Sequence, residues 1–348
     1  MNKKFLFFLN TSLVLIYLVI AAGATVRVTG SGMGCPDWPK CFGYIIPPTE
    51  RNQLEWKPNY SYNKNEVIIL KESLRVAKVD FKSKNKYNKK NWNPYLKHDY
   101  SEFNVYHTWI EFINRLIGAI AGITILGMFC YSLLSWKKNK IVVLLSFLAI
   151  IGMVFQAILG KEVVDSNLLP YKITIHLIMA FIILGILIYT LYLSRINPVK
   201  IRKNKKIILV LSFGFFLTLI QIFSGTQVRQ FIDFQMNRFP IQHELWLKYA
   251  PIKFYFHRTF SLIILATHLL LYLEFKRIKI IPFSFKIILT VLFLEIITGA
   301  VMYYFDFPIS TQPIHLLLAT IIFSSQLYLL FQLTIKNKIN DIKNYNNT

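Results

Sequence analysis

The sequence predicts an all-α integral membrane protein of eight transmembrane helices, forming two four-helix bundles related by a pseudo-twofold axis, with both termini inside. Two observations carry this prediction: long uncharged apolar runs, and a set of motifs that occurs twice along the chain. With 54% hydrophobic and only 16% charged residues among 348, the chain is too apolar for a soluble protein unless its apolar residues fall in such runs.

The apolar runs are each about 18 to 25 residues long, enough to cross about 30 Å of hydrocarbon as a helix. They span about 5–25, 108–135, 141–160, 172–194, 207–224, 254–274, 283–303 and 313–335. The first run also fits a signal peptide, because a charged start and an apolar run precede Ala22-Gly23-Ala24. The internal repeat favours a permanent helix, since it pairs the first run with the fifth.

The net charge of +23 lies mainly in the connectors between the runs, which indicates membrane topology rather than nucleic-acid binding. Basic residues precede the first run, follow the last, and fill alternate connectors; the positive-inside rule assigns that side to the cytoplasm. The long segment of about 26–107 is also basic but must lie outside, and loops of this length translocate largely regardless of charge. Its stretch from Lys82 to Lys90 has low complexity and is predicted to be flexible.

The motifs repeat between an N-terminal half, 1–194, and a C-terminal half, 195–348. The matched pairs are Gly23-Ala-Thr-Val-Arg27 with Gly225-Thr-Gln-Val-Arg229, Asn114-Arg115 with His257-Arg258, Gln156-Ala-Ile-Leu-Gly160 with Glu295-Ile-Ile-Thr-Gly299, and Ile175-His176-Leu177 with Ile314-His315-Leu316. Four helices in each half give both halves the same orientation, which predicts a pseudo-twofold axis along the membrane normal.

Three histidines, His176, His257 and His315, fall within the first turn or two of their predicted helices and therefore share one depth. Ionisable residues inside a membrane segment are costly and usually functional. Imidazoles from two facing helices can clamp a haem between them. Each histidine alone is more simply explained by a hydrogen bond to a neighbouring helix or by a place at the lipid interface, but the three together favour haem, with His257 and His315 as the complete pair.

Arginines near these histidines are candidate partners for haem propionates, because guanidinium pairs with carboxylate in a bidentate way. Arg115 and Arg258 are matched within helices, and Arg27 and Arg229 are matched at the outer ends of helices 1 and 5. The alternative is that these side chains extend to lipid headgroups.

Glu111 lies three residues before Asn114 on the same face of helix 2, and it has no acidic counterpart near His257. A carboxyl group in that setting could move protons during catalysis. The structural alternative is an ion pair with Arg115 one helical turn away.

Cys35 and Cys41 lie six residues apart in the outer segment. On the oxidising side of a membrane this pair is expected to form a disulfide. The spacing disfavours zinc binding or covalent haem attachment.

These residues together resemble one family. The run Gly30-Ser-Gly-Met-Gly-Cys-Pro-Asp-Trp-Pro-Lys-Cys-Phe-Gly43, followed by Ile46-Pro-Pro48, closely resembles the outer-loop signature of haem A synthases. Glu111-Phe-Ile-Asn-Arg-Leu-Ile-Gly118 resembles the Glu-x-x-His-Arg motif of their second helix, and the motifs around His176, His257 and His315 extend the similarity over nearly the whole chain.

The resemblance implies an oxidoreductase that converts the C8 methyl group of haem O to the formyl group of haem A for terminal oxidases. It further implies haem b as a cofactor ligated by His257 and His315, and substrate haem O bound at His176 in the N-terminal half. The alternative from another class is a di-haem b-type electron carrier without haem-modifying activity, which would need two complete histidine pairs. A transporter is less consistent with the sequence, since broken helices are not evident.

The resemblance also implies a location in the bacterial inner membrane and a set of partners. Haem O and membrane lipid are the expected partners. Haem O synthase, oxidase assembly proteins and a second copy of the chain are further candidates, whereas nucleic acid is not expected.

Asn114 departs from the family pattern, which has a histidine at this position. Asparagine is a poor iron ligand, so substrate haem at His176 would have an open sixth position beside Glu111. Three outcomes follow: the enzyme works with an open position, His107 on the same helix face takes over as ligand, or activity is weakened. The first is chemically reasonable because oxygen activation needs an open position.

Overall fold

The computed structural model describes residues 2–96, 102–195 and 204–335. Within these ranges the chain forms eight helices long and apolar enough to cross a membrane, which confirms the predicted number of spans. They are α1 (Lys3–Val28), α2 (Val105–Leu133), α3 (Lys140–Asp165), α4 (Pro170–Ser194), α5 (Lys205–Arg238), α6 (Ile252–Arg277), α7 (Phe283–Tyr304) and α8 (Thr311–Thr334). The basic residues in 196–203 and those at Lys336 and Lys338 lie outside the described residues, and the placement of both termini inside stays a prediction.

Helix α5 is longer than predicted, because it continues to Arg238 instead of ending near residue 224. The apolar run ends there, but residues 226–238 contain neither glycine nor proline, so nothing in the sequence breaks the helix. Arg229 and Asp233 form an ion pair one turn apart at 2.5 Å, which supports this polar extension. The first proline after it is Pro240, just beyond the end of the helix.

The outer segment between α1 and α2 contains two small antiparallel sheets that the sequence did not predict. Their strands are β1 (Ser61–Tyr62), β2 (Val67–Leu70), β3 (Ser73–Ala77), β4 (Phe81–Lys82) and β5 (Trp92–Pro94), paired in the orders β1-β4 and β2-β3-β5. Aromatic rings hold them together: Trp92 packs at centroid distances of 4.9 Å from Tyr62 and 5.4 Å from Phe81. Tyr87, inside the stretch predicted to be flexible, stacks on Trp92 at 6.2 Å.

The chain divides into two compact units. The N-terminal unit comprises residues 7–138 and 146–183, and so holds the outer segment and most of α1–α4. The C-terminal unit, the second, comprises residues 1–6, 139–145 and 184 onward, including α5–α8. In the second unit α5 packs on α6 and α8, and α7 packs on α8, around fully buried residues such as Leu211, Phe275, Phe285 and Leu329. The predicted halves at 1–194 and 195–348 and their pseudo-twofold relation stay predictions.

Candidate functional site

His257 and His315 lie near the N-terminal ends of α6 and α8, and the structure brings their imidazole rings together. The ring centroids are 6.4 Å apart. A metal held by one nitrogen of each ring at about 2.0 Å would place the two centroids about 6.3 Å apart. The separation therefore suits two imidazoles that would hold one metal ion, and it is too long for a direct hydrogen bond between the rings.

Each of these rings is set against a glycine of the preceding helix and is held by the hydroxyl residue before that glycine. Ser224 Oγ lies 2.9 Å from His257 Nδ1, and Thr298 Oγ1 lies 2.8 Å from His315 Nδ1. A β-carbon on Gly225 would lie only 3.1 Å from His257 Cε1. The ring therefore occupies space that is open because glycine has no side chain. The matched glycines are visible in the sequence repeat, but the two hydroxyl groups beside them were not predicted.

The N-terminal unit repeats the contact between histidine and glycine. His176 lies near the N-terminal end of α4, and a β-carbon on Gly160 would be 3.3 Å from its Cε1. Asn114 occupies the corresponding place in α2, with its Oδ1 3.9 Å from the position a β-carbon would take on Gly23. Asn114 therefore lies beside Gly23 in the way that His257 lies beside Gly225. This agrees with the alignment of Asn114 with His257 in the sequence repeat.

Gln156 and Glu295, which are matched in the repeat, occupy equivalent positions beside the histidines. Gln156 Nε2 is 3.3 Å from His176 Nε2, and Glu295 Oε1 is 3.3 Å from His315 Nε2. Several buried polar atoms around the histidines have no hydrogen-bond partner within the described residues: Asn114 Oδ1, Gln156 Oε1, His176 Nδ1, Gln221 Oε1 and Glu295 Oε2. Buried polar atoms usually have partners. Two of these side chains, Gln156 and Glu295, lie beside imidazole nitrogens, which fits bound groups that offer a metal and polar substituents.

Glu111 is buried in α2, with a side-chain exposure of 4%, and both of its oxygens are engaged. Oε2 accepts a hydrogen bond from the Cys35 amide at 2.8 Å, and Oε1 pairs with Arg115 at 2.5 Å. The ion pair considered as the structural alternative is therefore present. It fixes the Glu111 carboxylate on the same helix that carries Asn114.

Arg115 uses its remaining hydrogen-bonding capacity on the outer segment. Its guanidinium donates to the carbonyl oxygens of Asp37 at 2.6 Å, Lys40 at 3.0 Å and Cys35 at 3.1 Å. These contacts clamp the loop of residues 35–41 onto α2. A propionate would have to share this guanidinium with the loop.

Cys35 and Cys41 form the predicted disulfide, with Cα atoms 4.7 Å apart. The loop lies directly on α2, since a β-carbon on Gly34 would overlap the His107 backbone, and Thr108 Oγ1 donates to the Gly34 carbonyl at 2.8 Å. Asp37 accepts a hydrogen bond from the Gly43 amide at 2.8 Å, and burial raises the pKa of the Asp37 carboxyl despite that bond and the nearby Arg115.

The other predicted site residues are placed as follows. Arg27 is half-buried in the last turn of α1, and Arg229 pairs with Asp233. Arg258 is exposed and lies over the rings of Tyr255 and Tyr303 at 5.3 and 5.2 Å.

His107, the alternative ligand, is bound elsewhere: its Nδ1 is 3.0 Å from Ser31 Oγ in the outer segment. This contact joins the start of α2 to the chain just after α1. A role as iron ligand stays a prediction for this residue.

Comparisons with known proteins give one consistent result. The family model COX15-CtaA, described as cytochrome oxidase assembly protein, matches residues 6–83 and 71–327. The protein named heme A synthase from Wolbachia pipientis wMel is 26% identical, over 91% of this chain and 89% of that protein. Those of the same name from Ehrlichia canis and Rickettsia prowazekii are 26% and 25% identical, covering 90% of this chain and 89% and 93% of their own lengths.

Proposed function

Since the chain belongs to the COX15-CtaA family of cytochrome oxidase assembly proteins, we propose that it is a haem A synthase that oxidises the C8 methyl group of haem O to a formyl group. It is a multi-pass membrane protein, and its bacterial relatives indicate the inner membrane. The named relatives give no support to the alternative of a di-haem electron carrier.

The observation that carries the proposal is the pair His257 and His315, whose rings are 6.4 Å apart at the N-terminal ends of two neighbouring spans. We assign this pair to a resident haem b, which supplies one-electron transfer when bound. The two rings are each held at Nδ1 by a hydroxyl group, so Nε2 is the nitrogen offered to the iron. Binding would require Glu295 Oε1 to give up its place beside His315 Nε2.

We assign His176 to the substrate haem O. Its ring lies against Gly160 as the other two rings lie against their glycines. Asn114 offers an amide where a second imidazole would stand, so this chain supplies one strong ligand and leaves the opposite position for oxygen or water. Among the outcomes expected from Asn114, the open position is the one that suits oxygen-dependent oxidation.

We assign Glu111 to proton handling at this site. Arg115 and the Cys35 amide hold its two oxygens in place, three residues before Asn114 on the same helix. The carboxylate is thereby oriented without needing to move during turnover. Arg27, Arg229 and Arg258 are the proposed propionate partners. Arg115 can also bind a propionate, but its guanidinium would then contact the propionate in addition to the loop carbonyls.

Haem O as substrate follows from the proposed activity. Haem O synthase, oxidase assembly proteins and a second copy of the chain stay predictions as further partners.

The test is pigment extraction from cells that make this protein together with a haem O source and lack another haem A synthase. We expect haem A to appear in the extract, and we expect His176→Ala to leave only haem O. The His176→Ala protein should keep the low-spin haem b spectrum of the other site, which controls for folding. Accumulation of haem O alone in the presence of well-folded wild-type protein would refute the proposed function.

A further inference from the structure

The hydroxyl groups of Ser224 and Thr298 each lie within hydrogen-bond distance of a helix carbonyl and of a histidine Nδ1. Ser224 Oγ donates its own proton to the Gln221 carbonyl at 3.0 Å, and Thr298 Oγ1 donates to the Glu295 carbonyl at 3.0 Å. A hydroxyl has one proton to give, so only lone pairs remain for the imidazoles. With the hydroxyl proton donated to the carbonyl, Nδ1 of His257 and of His315 donates to the hydroxyl and carries the ring proton.

This assignment settles which nitrogen is available to a metal. With the proton on Nδ1, each neutral ring presents the lone pair of Nε2. A hydrogen bond from the second ring nitrogen of a metal-bound histidine fixes the orientation of the ring and raises its basicity as a ligand. Each hydroxyl residue directly precedes the glycine that accommodates the ring. One dipeptide, Ser224-Gly225 or Thr298-Gly299, therefore supplies both the hydrogen-bond partner of Nδ1 and the space for the ring.

The N-terminal unit keeps the glycines but lacks the hydroxyl groups. The residue before Gly160 is Leu159 and the residue before Gly23 is Ala22. His176 lies against Gly160 as His315 lies against Gly299, yet His176 Nδ1 has no hydrogen-bond partner among the residues that the structure describes. The rings of the C-terminal unit thus have a hydroxyl at Nδ1, whereas the His176 ring has no partner at Nδ1 among the described residues and contacts Gln156 Nε2 through its Nε2.

We propose that Ser224 and Thr298 are positioning residues that make the His257/His315 pair a permanent haem site, and that Leu159 in the equivalent place makes His176 an exchangeable ligand. The proposal rests on the proposed function, in which one haem is a cofactor and the other is a substrate that must leave as product. A strongly held ligand set suits the cofactor. A single, less basic imidazole suits a substrate that enters and leaves in every catalytic cycle.

The first test uses purified full-length protein carrying its haem b. Thr298→Val keeps the shape of the side chain and removes the acceptor, whereas Thr298→Ser restores it. We expect Thr298→Val to raise the midpoint potential of the low-spin haem, because a less basic ligand stabilises the ferric state less, and to speed haem transfer to excess apomyoglobin about tenfold or more. Thr298→Ser should match the wild type in both measurements, and Ser224→Ala should behave as Thr298→Val does.

The second test concerns the N-terminal unit. Leu159→Thr introduces a hydroxyl at the position equivalent to Thr298, and Leu159→Val is the matched control without an acceptor. We expect haem O loaded at His176 to transfer to apomyoglobin about tenfold more slowly from the threonine variant than from the valine variant. Equal rates would overturn the assignment of exchangeability to residue 159.

The outcomes separate this proposal from the proposed function. If Thr298→Val and Ser224→Ala both leave the potential and the transfer rate at wild-type values, the positioning role is wrong, even where the wild type makes haem A. If the variants shift both quantities as expected, the positioning role holds, even where pigment extraction finds no haem A.

Discussion

Arg115 is the residue whose removal tests most directly how the outer segment is joined to the membrane helices. Replacing it with methionine keeps an unbranched apolar stem of similar reach but removes the guanidinium. Three donated hydrogen bonds to the loop of residues 35–41 disappear, and Glu111 loses its ion-pair partner. The loop should then detach from α2 much more often than in the wild type.

The cost follows from burial. The Glu111 side chain is only 4% exposed and that of Arg115 is 16% exposed, so the pair lies in a poorly solvated place. Breaking a buried ion pair by removing one partner typically costs about 3–5 kcal/mol, because the other charge is left unpaired. Since about 1.4 kcal/mol corresponds to a factor of ten, local opening should become on the order of a thousandfold more frequent.

Amide hydrogen exchange measured by mass spectrometry on the detergent-purified protein reports this opening. Peptides covering residues 35–41 should exchange far faster in Arg115→Met, while peptides from α7 and α8 should be unchanged. In the double variant Glu111→Gln/Arg115→Met the unpaired charge is gone, so part of the protection should return. If residues 35–41 of Arg115→Met exchange at the wild-type rate, the clamp is refuted. If the double variant is as unprotected as Arg115→Met, the cost does not come from the unpaired Glu111 charge.

Three further predictions concern the haem ligands and the outer loop. Either His257→Ala or His315→Ala should remove the low-spin haem b spectrum, since bis-imidazole ligation needs both rings; an unchanged spectrum in both variants would contradict the ligand assignment. Reduced wild type loaded with haem O should bind carbon monoxide and Asn114→His should suppress this, because the added imidazole fills the open position; absence of binding in the wild type would contradict the open site. Burial raises the pKa of the Asp37 carboxyl, so the folded loop binds a proton there more tightly than the unfolded loop does. The stability of the loop should therefore fall as the pH rises from the ordinary pKa of aspartate, about 3.9, to the raised pKa. Asp37→Asn should flatten this slope in a proteolysis assay of the outer segment against pH; an unchanged slope would point to another group.

The membrane helices and the histidine pair could be predicted from the sequence because both are imposed by strong constraints. A helix is the only way for one segment to satisfy its own backbone in hydrocarbon, so an uncharged run predicts a span with little dependence on the rest of the chain. The register of His257 and His315 followed from matched residues in the repeat. The end of α5 did not follow, because hydropathy marks where the membrane ends and α5 continues beyond it to Arg238.

The contacts of Arg115 could not be predicted, because they depend on a loop more than seventy residues earlier in the chain. An arginine one turn after a glutamate suggests a local pair, and that pair is present, but the three carbonyl acceptors arise from how the disulfide loop lies on α2. The small sheets of the outer segment were missed for a related reason. Their strands have two to five residues, too few for a periodic pattern, and the aromatic packing around Trp92 joins residues from separate strands.

Under the proposed function, the two units use similar helical frames for a cofactor and for a substrate, with small differences in sequence. The glycine that accommodates a ring is kept in all four places, at Gly23, Gly160, Gly225 and Gly299, so the frame can seat a side chain of imidazole size in each. What differs is the chemistry placed in that frame: asparagine replaces one ring, and among the described residues hydroxyl groups contact Nδ1 of His257 and His315 but not Nδ1 of His176. In our proposal a hydroxyl at Nδ1 lengthens the residence time of the haem without a change of fold, because it fixes the ring and raises its basicity as a ligand. Under the proposed function, the asymmetry between the electron-transfer haem and the haem substrate can therefore arise from four positions, 114, 159, 224 and 298, in a chain whose motifs repeat.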